Sequence, residues 1–372
     1  MKEQFTIKSM LRGLDGKLGE DDYTEPLEIL VHSLNKHNKF NPFGKIAFNH
    51  QLKSRLKTRK HLNQLHLSKT FPDPADPVFV IGLPRSGTTL LFNLLSLDES
   101  YRSPQYWEIM NPFPLAKTLK EKNKKIKKVN RDLRIAKTLI PKLKSLHTIG
   151  AETPEECEQI ATMNVRSFVY LCMADIPEYV DYLKGCNFNS VFEWHKKFLQ
   201  ALELNGRPQR WLLKDPSHIG HLPEILHTYP NAKFIHIHRD PIESVSSFCS
   251  LTKNIRSAFS KKVSAEDIGA TVIDFWMHNL NKGIEYRKNI SSHNIVDISY
   301  QDFIKSPLDN IKSSYVHLGF DMTTKTENDI QEYISQDRNR SMSSHNYSLN
   351  EYGLTEKKVK DQFRDYMLNY DF

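Results

Sequence analysis

Fourteen residues, Val78-Phe-Val-Ile-Gly-Leu-Pro-Arg-Ser-Gly-Thr-Thr-Leu-Leu91, leave this chain few folds to choose from. Four β-prone apolar residues, Val78 to Ile81, predict a buried parallel strand. Gly82 to Gly87 predict a turn, and Thr88 onward a helix that packs Leu90, Leu91, Leu94 and Leu95. A strand, a glycine-bounded loop and a helix start make an anion site. The N–H groups of the first helical turn lack intrahelical partners and point at the loop, where the helix dipole also favours negative charge. Gly82 and Gly87 admit backbone angles and close approaches that a Cβ would block. Ser86, Thr88 and Thr89 add hydroxyls, and Arg85 adds a permanent charge on a planar donor fork.

The spacing departs from the nucleotide triphosphate loop, which needs Gly, four residues, then Gly-Lys-Ser/Thr. Gly82 and Gly87 are correctly spaced, but Thr88 stands where that lysine would be, and the cation sits inside the loop at Arg85. No apolar run ending in Asp stands out as a magnesium-holding strand. Kinase or ATPase chemistry uses a metal between the phosphates. A phosphate-bearing donor handled without a metal fits this loop better.

Trp211 to Leu213, Phe234 to Ile237 and Ile295 to Ile298 predict three more short strands, with helices near 191–203, 219–228, 242–252 and 265–288 between them. The alternation predicts an α/β fold: a parallel, P-loop-like sheet with helices on both faces. Ligands of such sheets sit beyond the carboxyl ends of the strands, and Gly82–Gly87, Lys214–His218 and Arg239 all fall there. Apolar spacing at Leu27, Leu30, Val31 and Leu34, then at Phe48, Leu52 and Leu56, predicts a helical N-terminal extension over 1–70, with the α/β domain over 75–372. Pro72, Pro74 and Pro77 separate the two.

Three motifs in order resemble a known family. Pro84-Arg-Ser-Gly-Thr-Thr89 is similar to the 5′-phosphosulfate loop of sulfotransferases that use 3′-phosphoadenosine 5′-phosphosulfate (PAPS). The strand Phe234-Ile-His-Ile-His ending in Arg239, with Ser247 eight residues on, resembles the part that grips the 3′-phosphate. Arg210-Trp-Leu-Leu-Lys-Asp-Pro-Ser-His218 resembles the strand that carries catalytic groups. The wording is most similar to the broad, largely bacterial branch, over roughly residues 75–370. The resemblance implies sulfuryl transfer from PAPS to a hydroxyl or amine without a metal, with Pro84, Arg85, Ser86, Gly87, Thr88, Thr89, Arg239 and Ser247 on the nucleotide. It extends to a late nucleotide-covering loop, where Arg340, His345 and Tyr347 would touch the 3′-phosphate or adenine.

Catalysis of this transfer needs cations near the bridging oxygen and a base for the acceptor's proton. Arg85 and Lys214 are the candidate cations. His218 is one candidate base, because histidine titrates near neutral pH. In the cytosolic relatives the histidine follows the lysine more closely, so Glu152, Glu155 and Glu108 stand as rivals. A capping box, with Thr153 as cap, Pro154 first and Glu156 three residues on, predicts a helix start there and gives one glutamate a structural cause. Two other classes remain as alternatives: a phosphoryl-transfer or nucleotide-hydrolysing enzyme with a divergent loop, and a non-enzymatic anion-binding module.

Of 372 residues, 39% are hydrophobic, enough for a sizeable core. Four cysteines without zinc spacing read as thiols in a reducing compartment. No signal peptide or apolar run of membrane length is visible, so cytoplasm is the expected location. The net charge of +8 is concentrated: residues 115–147 hold twelve Lys/Arg against Glu121 and Asp132, which leaves the remainder slightly acidic. Nucleic-acid binding is therefore not expected. The basic segment is expected to be a solvated helix face; the alternative is a surface for an acidic carrier, a polyanion or a lipid headgroup. The acceptor class stays open: a small-molecule, lipid or carrier-bound hydroxyl.

Overall fold

The computed structural model describes residues 5–14, 18–139, 150–204, 209–337, 348–370 and 372. Arg340, His345 and Tyr347 lie outside them. The chain forms two compact units: residues 1–74, 104–208 and 251–264 make one, and 75–103, 209–250 and 265–372 the other.

The second unit holds a five-stranded sheet built from β1 (Val78–Ile81), β2 (Tyr101–Arg102), β3 (Arg210–Lys214), β4 (Lys233–His238) and β5 (Ile295–Ser299), in the order β2-β3-β1-β4-β5. All pairings are parallel. β1 is central: Val80 lies opposite Lys214 of β3, and Ile81 opposite His236 of β4. The chain leaves β1 for one side and later returns to the other, so the loop after β1 stands at the switch point. Period-two alternation splits the strand residues between two layers. Val78, Val80, Leu212, Ile235, Ile237 and Ile298 pack on one side with Leu91, Phe92, Leu94 and Leu95 of the helix Thr88–Leu95. Phe79 faces the other layer, stacked on Phe234 at 5.7 Å and tilted against Tyr229 at 5.9 Å.

The four strands read from apolar runs are present. β2 was not expected: the aromatic stretch from Tyr101 places two residues on the sheet edge and then forms the helix Tyr106–Met110. Two residues are too short a run for periodicity to reveal.

The first unit is helical. Leu27, Leu30, Val31 and Leu34 are buried along Thr24–His37, and Phe48, Leu52, Leu56 and Leu62 along Pro42–Ser68, which Asn41 caps by accepting from Gly44 N at 2.7 Å. One of its buried arginines, Arg59, stacks on Trp194 at 3.9 Å, donates to Leu18 O at 2.8 Å and pairs with Asp22. The expected helix start at Thr153 is not found; the helix begins at Glu158. Thr153 turns back on Gly150, donating to its carbonyl at 2.9 Å, while Tyr106 N and Glu155 N bond Thr153 O and Pro104 O. Pairing with the neighbouring segment has overridden a local cap signal. Glu108 does form a capping box, accepting from Gln105 N at 3.0 Å.

The basic segment forms the helix Leu119–Leu139, with Ile126, Val129 and Leu133 buried against Trp107 and Ala151. Lys125 is its buried lysine. Burial, then the neighbouring charge of Lys128, pushes it down to about 8, and its ammonium donates to Asn111 O and Pro112 O at 2.6 and 2.9 Å. None of the four cysteines is in a disulfide; Cys157, Cys172 and Cys249 are buried. Among the described residues no helix is long and apolar enough to cross a membrane.

His195, only 2% exposed on the helix Asn189–Glu203, makes this unit acid-sensitive. Burial holds it down at about 3. Its folded value lies below the unfolded one near 6.5, so His195 is neutral in effect above about pH 6.5 and subtracts stability as pH falls from there, about 1.4 kcal/mol per pH unit. Replacing it with Leu should reduce the loss of stability between about pH 6.5 and 4.5 by roughly 2–3 kcal/mol. Urea midpoints across that range measure this, and parallel curves for both proteins would contradict it.

Candidate active site

The loop after β1 is shaped by three positive φ angles. Gly82 has φ +148, and a Cβ there would lie 2.5 Å from Ile237 O of β4. Gly87 has φ +96, and a Cβ would meet the Tyr300 ring at 2.7 Å. Between them Arg85 adopts φ +68, a conformation unfavourable for a residue with a Cβ and held by the surrounding bonds. Ser86 closes the turn: its N–H and its hydroxyl both donate to Leu83 O, at 3.2 and 2.7 Å, and its side chain is fully buried. Ser86 and the buried Thr88 therefore shape the loop, while Thr89 stays half-open. Pro84 is also buried. The helix Thr88–Leu95 begins at Gly87, whose carbonyl accepts its first bond, from Leu91 N at 3.2 Å. The earlier N–H groups of that turn remain for an anion.

Three further groups converge on this loop. Arg85 Nε donates to Ser247 Oγ at 3.2 Å, and Arg239 Nη1 donates to Arg85 O at 2.9 Å. The Arg239 guanidinium lies 4.1 Å over the Tyr300 ring, the same ring that excludes a Cβ at Gly87. Its Nε donates to Glu243 Oε2 at 2.8 Å. Lys214, 1% exposed at the end of β3, donates from Nζ to Thr89 Oγ1 at 3.2 Å and stands 5.8 Å from the Phe92 ring. Arg85, Thr89, Lys214, Arg239 and Ser247 thus form one cationic, hydroxyl-bearing cluster at the strand ends.

His218 is placed differently. Asp215 caps the turn that carries it, accepting from Ser217 N and Oγ at 2.7 Å each, and His218 N donates to Asp215 O at 3.2 Å. The imidazole packs edge-on to Phe79 at 5.0 Å and is 4% exposed. Glu152 and Glu155 belong to the helical unit, where Glu152 is exposed and Glu155 buried.

Behind Arg239 lies a network that sequence reasoning missed. The Tyr366 hydroxyl accepts from Arg239 N at 3.2 Å and donates to Arg239 O at 3.3 Å. Tyr370, one turn on, stacks on His238 with ring centroids 3.5 Å apart. His238 Nε2 donates to Asp297 Oδ1 at 2.6 Å, and Arg287 donates to both Asp297 oxygens at 2.9 and 2.7 Å. Burial, then the neighbouring His238, holds His236 well below its ordinary value; burial likewise lowers His238. Burial alone would raise Asp297, but the bonds from His238 and Arg287 outweigh it and hold the carboxyl below its ordinary range. His236, His238 and Asp297 have the donor types of a metal site. Here Arg287 Nη1 also sits 3.0 Å from His236 Nδ1, so the lone pairs a cation would need already face a guanidinium. The His-x-His alternation of β4 was the available signal; nothing local marked Tyr366, which reads as a core residue.

A glycine-bounded loop at the switch point of a parallel sheet, joined by Arg239 and Ser247 from the neighbouring strand end and helix, has the form of an anion site. The chain matches the model described as "Sulfotransferase family" over residues 77–324, and it belongs to that family. It is 26% identical over 297 residues to an omega-hydroxy-beta-dihydromenaquinone-9 sulfotransferase, Stf3, of Mycobacterium bovis, covering 75% of this chain and 70% of that protein. Among solved structures it resembles sulfotransferase STF1 of Mycobacterium tuberculosis, with 28% identity, TM-score 0.83, and coverage of 98% of this chain and 100% of the other. The fold is also that of sulfotransferase STF9 of Mycobacterium avium: 23% identity, TM-score 0.82, 98% and 95% coverage. The protein is a sulfotransferase.

Gly82→Ala tests the loop geometry. Strain at positive φ and contact with the Ile237 carbonyl should together lower stability by about 2–4 kcal/mol. A chemical-denaturation midpoint unchanged from the native protein would show that the loop relaxes freely.

Proposed function

We propose that the protein transfers a sulfuryl group from PAPS to a hydroxyl acceptor, without a metal, and that the acceptor is a lipid of the quinol class. One observation carries the donor assignment. Ser247 and Arg239, expected to read a 3′-phosphate, are both bonded to Arg85, expected to read the 5′-phosphate. The residues present fit such a two-phosphate ligand. Gly82 and Gly87 let the loop backbone pack closely against Ile237 and Tyr300, and two guanidiniums and a hydroxyl meet there. The acceptor class is supported by the menaquinone-derived substrate in the name of the Mycobacterium bovis relative.

The donor, when bound, supplies the sulfuryl group and a phosphate leaving group. Arg85 and the first-turn N–H groups hold that phosphate and balance the charge that grows on its bridging oxygen as the bond loosens. Lys214 is a short reach from the same place. Thr89 orients its ammonium, and its burial beside Phe92 keeps water from screening it, so it steadies developing charge on the sulfuryl oxygens. Arg239 reads the 3′-phosphate with Ser247, exchanging its ion pair with Glu243 for the ligand. Tyr366 holds the Arg239 backbone while this happens. The acceptor's proton goes to His218, whose present packing against Phe79 requires its ring to turn outward, or to Glu152 or Glu155.

Calorimetry with 3′-phosphoadenosine 5′-phosphate and with AMP tests the donor. The 3′-phosphate adds charge-assisted bonds from Arg239 and Ser247, so the first should bind at least about tenfold more tightly, with or without a magnesium chelator. Equal affinities, or binding that disappears with the chelator, would remove the assignment.

Turnover of variants separates the bases. His218→Ala should lower kcat by roughly a hundred- to ten-thousand-fold with nucleotide affinity near normal. A small change there beside a large one in Glu152→Gln or Glu155→Gln would move the role to that glutamate.

A further inference from the structure

The helix Leu119–Leu139 carries a charge pattern that neither folding nor the sulfuryl-transfer site uses. Lys120, Lys124, Lys127, Lys128, Arg131 and Arg134 are all exposed, and helical periodicity sets them on the side opposite the buried Ile126, Val129 and Leu133. They run along about 21 Å of the axis. Lys120 and Lys124, Lys124 and Lys128, and Lys127 and Arg131 are like-charge neighbours one turn apart, an arrangement that opposes helix formation. The segment's two carboxylates do not relieve it. Glu121 accepts from the N–H groups of Lys117 and Thr118 at 2.7 and 3.2 Å and so caps the helix start, and Asp132 pairs with its neighbour Arg131. Among the described residues, Lys120, Lys124, Lys127, Lys128 and Arg134 have no carboxylate partner. A face that only solvates the protein mixes signs along its turns; this one does not.

We propose that this face is a docking surface for an anionic phospholipid membrane. The cations are spread evenly along a helix side, which matches a plane of headgroup charges better than a single bound ligand. Lys127 and Arg134 also line a concavity with Asn130, Leu133 and Lys137, where a headgroup phosphate can settle. Ile135, 53% exposed and set by helical periodicity between Lys124 and Lys128, is the apolar group available to enter the headgroup layer. An acidic protein partner fits less well, because a stable protein interface is centred on a cluster of aromatic or apolar anchors and this face offers the single residue Ile135. Each cation brought to an anionic surface contributes about fivefold in partitioning, so six suffice for binding that salt reverses. The inference rests on the helix alone and stands whether or not the acceptor is a lipid.

The test uses the full chain and sedimented vesicles of phosphatidylcholine, with and without phosphatidylglycerol. Binding is expected to the phosphatidylglycerol vesicles at about 50 mM salt and to fall at least tenfold at about 500 mM. Lys120→Gln, Lys124→Gln, Lys127→Gln and Lys128→Gln combined should reduce it at least a hundredfold. The same substitution at the exposed Lys357, Lys358 and Lys360 should leave it within about threefold. The pair Lys124→Gln with Lys128→Gln gives a tenfold loss to measure if the fourfold variant does not fold. Equal binding to neutral vesicles, equal loss in the control variant, insensitivity to the helix substitutions, or tighter binding to polyglutamate than to phosphatidylglycerol vesicles would each overturn the proposal.

Discussion

Arg85 is the residue on which the site depends. Its side chain reaches Ser247, 162 positions away, and its carbonyl receives Arg239, 154 positions away. Arg85 makes both bonds from a left-handed backbone conformation, next to the turn that Ser86 closes onto Leu83. A loop relaxed to ordinary angles would turn that carbonyl elsewhere, and the loop and the Arg239–Ser247 segment would lose a common anchor. The strain at Arg85 is therefore part of how separate motifs become one site.

Support for Arg239 comes from behind the sheet. Tyr366 holds both polar groups of its backbone, and Tyr300 lies beneath its guanidinium. The neighbouring Tyr370, His238, Asp297 and Arg287 tie the C-terminal helix Arg364–Tyr370 to β4 and β5. Arginine has many rotamers, and ordering it only when a ligand arrives would weaken binding. Preordering by aromatic stacking and backbone bonds moves that cost into folding.

Lys214 shows the same economy. Its buried ammonium donates to the Thr89 hydroxyl and stands beside the Phe92 ring, so its position is set by the fold. His218, also buried, packs edge-on to Phe79. The two residues share one short segment, yet a strand end and a capped turn send their side chains into different surroundings.

Much of this was legible in the chain itself. Val78 to Leu91 determined a strand, a glycine-bounded loop and a helix start, because apolar runs, positive-φ glycines and unpaired first-turn N–H groups act over a few residues. The spacing from Arg239 to Ser247 and the four apolar strands were readable for the same reason, and with them the parallel sheet and the sulfotransferase family. Tertiary structure decided what depends on distant partners. Pairing with 104–106 cancelled the helix expected from Thr153, and the edge strand at Tyr101 exists only because β3 is beside it. Tyr366 became a support for Arg239, and among the candidate bases the glutamate with a capping role proved to be Glu108. Local propensity is set by a residue and its near neighbours, whereas a side chain's partner is set by packing across the sheet, which no short window of sequence contains.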